Sequence, residues 1–112
     1  MVRTRPATEP RPAERTVEAI PGLEALATAL MTLRDADEAQ RFLRDLCTLP
    51  ELEALAHRWQ TVLLLDQGVA YVEIAGRVPT STATVTRVAQ WLKHGTGGYR
   101  IALDRVKRRA RV

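Results

Sequence analysis

Between Gly22 and Lys107 the apolar residues recur at intervals of three and four, and no stretch alternates with period two. Such spacing lines one stripe of a helix, whereas a half-buried strand needs alternation, so the chain is predicted to be all-α. Leu23, Leu26, Ala27 and Leu30 make the first stripe, and Ala39, Phe42, Leu43 and Leu46 the second. Leu52, Leu55, Ala56, Trp59, Val62 and Leu63 make a third, longer one. Asp35 with Glu38, and Thr48 with Glu51, have capping-box spacing, in which the first side chain accepts from an amide three residues on and the glutamate reaches back. Pro50 falls in the first turn of the helix expected over 49–67, where amide donors lack partners anyway, and Gly68 follows its end. A short helix is expected over 71–78, with Ile74 and Val78 on one face, stopped by Pro79, which pushes the residue before it out of the helical region. Another is expected over 81–93, ending at Gly95, and a last one over 99–107 after the GTGG link.

Composition narrows the class. At 112 residues, 46% hydrophobic and 4% aromatic, the chain is one domain with tails whose core rests on Leu, Ala and Val. A single cysteine, Cys47, excludes an internal disulfide framework and fits a reducing compartment. There is no apolar run of roughly 20 residues and no signal-peptide core, so no membrane span is expected and the cytoplasm is the expected location. Residues 1–17, with three prolines and four arginines, read as a disordered basic arm, 18–106 as the helical domain and 107–112 as a basic tail. Charge is unevenly spread: residues 1–66 carry −3 and residues 67–112 carry +7, giving +4 in all. A basic C-terminal half points to a polyanionic partner.

The stretch PTSTATVTRV (79–88) opens a helix with residues that form helices only moderately well, because their hydroxyls compete for backbone hydrogen bonds. Two short helices joined by a turn of three or four residues form a helix-turn-helix, whose second helix enters the DNA major groove. On a helical wheel Val85, Val88 and Leu92 face the core, Ala83, Thr86, Arg87 and Gln90 face away, and Ser81 and Thr82 occupy the first turn. A groove about 12 Å wide admits a helix whose leading face is small, and hydroxyls, a thymine-facing methyl and longer Arg or Gln side chains suit base edges. The expected base-reading set is Ser81, Thr82, Ala83, Thr86, Arg87 and Gln90, and the expected phosphate contacts are Lys93, Arg100, Arg105, Lys107, Arg108 and Arg109.

Other residues take plainer readings. Trp59 and Trp91 are read as core or interface packing, and Cys47 as a small buried hydrophobe. His57 and His94 lie too far apart, with no partners at ligand spacing, to hold a metal. HGTGGY lacks the GK[ST] of a phosphate loop and reads as a linker. No nucleophile and base stand together, so no enzyme is expected.

Together DLCTLPELEALAHRW, YVEIAG, STATVTRV and HGTGGY resemble the Trp-repressor-like superfamily, and more closely its YerC/YecD group, over about residues 22–104. The resemblance implies a six-helix subunit in an intertwined homodimer with its N-terminal helices interlocked. It implies base contacts at Thr82, Ala83 and Thr86. It also implies an effector pocket at Arg58, Thr84, Arg87 and Val88. Val88 departs from the family pattern, which has a glycine where an indole must fit, so no cofactor, tryptophan included, is expected; Val72 and Ala75 stand at the places of basic contacts. These features lead to the expectation of a sequence-specific, double-stranded-DNA-binding transcriptional regulator, a repressor, that reads a pseudo-palindromic operator. The alternative is a helical dimeric interaction module with a basic face and only non-specific nucleic-acid affinity.

Overall fold

The structure is a computed structural model that describes residues 19–110; the arm expected over 1–17 and the tail residues 111 and 112 lie outside the described residues. Six helices follow one another: α1 (Leu23–Leu30), α2 (Ala36–Leu46), α3 (Leu49–Asp66), α4 (Tyr71–Arg77), α5 (Thr82–His94) and α6 (Gly98–Ala110). No strand occurs among the described residues. The chain divides into two compact units, up to Leu43 and from Arg44, the division falling within α2.

In the first unit α1 starts at Gly22, which holds a left-handed φ of 83° that favours glycine. Asp35 caps α2 as expected, its Oδ1 accepting the Glu38 amide at 2.9 Å. The reciprocal bond differs by one residue, because Glu38 Oε1 accepts from the Arg34 amide. Arg41 and Asp37 pair across one turn of α2. No described residue of this unit is buried.

The second unit holds the core. Thr48 and Glu51 form the full capping box at the head of α3, with Pro50 in its first turn. The amide of Thr48 bonds the Glu51 carboxylate at 2.8 Å and holds its pKa below the ordinary glutamate range. Val62, Val88 and Leu103 form one buried cluster, flanked by Trp59, Leu63, Leu92 and Tyr99. Ile74, Val78 and Val85 form the other, so α4 is clamped between α3 and α5 by its single buried face. Thr61, also buried, satisfies its hydroxyl by donating to the His57 carbonyl at 2.8 Å.

Several expectations shift. The α3 stripe is buried only toward its C-terminal end, while Leu55 and Ala56 are exposed. Cys47 is half-buried rather than enclosed. Helix α6 continues to Ala110 rather than ending at Lys107, since no residue there breaks it and Lys107, Arg108 and Arg109 complement the negative end of its dipole.

Candidate nucleic-acid interface

Helix α4 ends at Arg77, and Val78 leaves the helical region (φ −106°, ψ 130°) in front of Pro79, as the proline ring requires. Four residues later Ser81 caps α5: its Oγ accepts the Thr84 amide at 3.1 Å and its hydroxyl donates to Thr84 Oγ1. Val85, Val88 and Ala89 are buried and Leu92 is half-buried, which fixes the rotation of α5 about its axis. Thr82, Ala83, Thr86, Arg87 and Gln90 are therefore all exposed, as is Ser81.

Hydrogen bonding divides this face. Ser81 is committed to the cap. Thr86 donates its hydroxyl to the Thr82 carbonyl at 3.0 Å, which leaves its oxygen as an acceptor and its methyl free for contact. Arg87 reaches Thr84 Oγ1 at 3.4 Å, a long bond that tethers the guanidinium to the side of α5 away from Gln90.

The backbone set divides as well. Lys93, Arg105, Arg108 and Arg109 are exposed and make no ion pair among the described residues. Arg100 and Lys107 instead converge on Asp66, at 3.3 and 2.7 Å. Lys107, helped by Arg100, holds the Asp66 carboxyl below the ordinary aspartate range, against the opposing effect of its burial. Asp66 was missed in the sequence, although a basic pair at three before and four after an apolar Leu103 is the trace it leaves.

Arg58, Thr84, Arg87 and Val88, the residues expected at an effector pocket, all line one open pocket of about 810 Å³, together with His57 and Trp91. No carboxylate lines it, so its walls favour anions. Val88 packs with Val62 and Leu103 and does not close the pocket, so its size alone leaves room beside it. Trp91, read as core or interface packing, is not in the core of the subunit: it is 63% exposed and lines the pocket wall. Trp59 packs at a tilt against Tyr99, with ring centroids 6.4 Å apart.

A capped, exposed helix braced by a short helix across a four-residue turn, beside a cationic surface, defines a helix-turn-helix protein. The model of the Trp repressor protein family matches residues 21–107, and the chain belongs to that family, one of DNA-binding regulators rather than enzymes. The uncharacterized protein YerC of Bacillus subtilis strain 168 is 40% identical over 85 residues, which span 76% of this chain and 82% of YerC. A TrpR-like protein from Eubacterium eligens shares the fold with a TM-score of 0.73 and 34% identity, over 80% of this chain and 92% of that one. A candidate Trp repressor from Staphylococcus aureus gives 0.72 and 36%, over 77% and 86%. Among the described residues no helix is long and apolar enough to cross a membrane.

Proposed function

We propose that the protein is a sequence-specific transcriptional regulator, acting as a repressor, that binds a pseudo-palindromic operator as a homodimer. The observation that carries this reading is the face of α5: Thr82, Ala83, Thr86 and Gln90 are exposed opposite the buried Val85 and Val88, small near the N-terminus and longer beyond it. Such a face suits a groove about 12 Å wide, with hydroxyl, methyl and amide groups that can meet base edges. Phosphate affinity is assigned to Lys93, Arg105, Arg108 and Arg109, whose charges are exposed and without ion pairs among the described residues. Dimerisation is supported by the absence of any buried residue in α1 and α2, which leaves their apolar stripes only partly covered. Operator binding without tryptophan is part of this reading; Val88 lines the pocket where the family pattern has a glycine, although it does not close it. The pocket beside it is assigned to a compact anionic effector, facing Arg58 and Arg87.

The deciding experiment selects sheared genomic DNA on the full chain near physiological salt, with and without L-tryptophan. The expected result is one enriched two-fold symmetric site, with half-sites about 34 Å apart, the same in both conditions. Retention without sequence preference would favour an interaction module with a basic face. Thr86→Ala is expected to relax discrimination at one base pair per half-site by about 1–3 kcal/mol, read as the loss of preference in the enriched site.

A further inference from the structure

The basic residues of α6 belong to two sets on two faces. Arg100 and Lys107 stand three before and four after Leu103, which is 1% exposed, so all three share the face that packs toward Val62 of α3 and Val88 of α5. Asp66, the last residue of α3, meets both cations there: its Oδ1 lies 3.3 Å from Arg100 Nη1 and its Oδ2 lies 2.7 Å from Lys107 Nζ. The carboxylate is 14% exposed while its two partners are about half exposed, so the pair converges on a sheltered acid from the rim. Arg105 and Arg109 fall on the opposite side of the helix at 3.6 residues per turn, Arg108 falls on its flank, and none of the three meets an acid among the described residues.

We propose that Asp66 is a positioning residue for nucleic-acid binding: it holds Arg100 and Lys107 against α3 and withholds both from phosphate, leaving Arg105, Arg108 and Arg109 as the α6 cations that set salt-dependent affinity. The inference rests on the DNA-binding reading. A cation that neutralises a phosphate adds about 0.9 to the slope of log affinity against log salt. A cation already bonded to a carboxylate must first give up a charge-assisted bond, and that exchange gains little. Because phosphate contacts carry no sequence information, removing two cations lowers the electrostatic affinity common to operator and non-operator DNA. Asp66 thus sets sequence-independent affinity without touching DNA.

The test is the salt dependence of binding to a random-sequence duplex, measured on the full chain, with thermal melts to establish that each variant folds. Arg105→Gln with Arg108→Gln is expected to flatten the slope by about 1.8, whereas Arg100→Gln with Lys107→Gln changes it by less than about 0.5. Asp66→Asn is expected to steepen it by about 1–2 through the two released cations. Asp104→Asn adds the same net charge on an exposed α6 position and is expected to leave the slope near that of the parent. Equal flattening by the two double variants overturns the proposal, as does an Asp66→Asn slope no steeper than that of Asp104→Asn. The comparison of double variants decides even where Asp66→Asn fails to fold. A parent chain that binds no duplex at any salt removes the DNA-binding reading itself, and the proposal with it.

Discussion

Gly95 follows α5 with ordinary torsions (φ −81°, ψ −156°), and its amide still bonds the Trp91 carbonyl at 2.9 Å. A β-carbon there would collide with that carbonyl oxygen and approach Trp91 Cε3 to 2.9 Å. The glycine that the sequence marks as a helix end is thus required by a close approach rather than by a left-handed backbone. Gly95→Ala is expected to lower stability by about 1–3 kcal/mol, as overpacking usually does, and to change the fluorescence of Trp91; a thermal melt and an emission spectrum check both. Thr86 teaches a similar lesson. Its place on the outer face follows from helical spacing, but the bond to the Thr82 carbonyl, which leaves it acceptor and methyl alone, does not.

Among the elements, α6 departs most from its expected form. Its extension to Ala110 carries Lys107, Arg108 and Arg109 into the last turn, and Asp66 joins it to α3. The Asp66 carboxyl titrates below its ordinary range when folded, so the unfolded chain takes up the proton first as pH falls. The stabilisation is complete above the unfolded value, near pH 4, and is lost as pH drops through the lower folded value. Asp66→Asn is therefore expected to melt below the parent at neutral pH, by about 1 kcal/mol given its half-exposed partners, and to converge with it below pH 4. Melts from pH 7 to pH 2.5 measure this. The capping boxes and the proline stop were legible because each is a local bond or clash. The acid holding α6 was not, since its partners lie 34 and more residues away.

For the whole molecule, the distribution of exposed apolar side chains is the main quantity. Leu46, Leu49 and Leu55 are each more than 40% exposed, and no residue of α1 or α2 is buried. Surface of that extent suits a second copy of the chain. Sedimentation equilibrium is expected to give twice the mass of one chain, and Leu49→Glu with Leu55→Glu to shift it toward one and to make melting independent of concentration. A monomeric parent at tens of micromolar would exclude the dimer.

The sequence by itself determined the helices, their caps and which face of α5 turns outward, because spacing, proline and capping act within a few residues. Membership of the Trp repressor family was legible too: the run from DLCTLPELEALAHRW to HGTGGY, in which STATVTRV lies, falls within the residues that the family model matches. Only the tertiary structure decided which cations stand free and where Trp91 rests. Each of these depends on distances between residues far apart in the chain, and those distances are fixed by how α3, α5 and α6 pack around Val62, Val88 and Leu103.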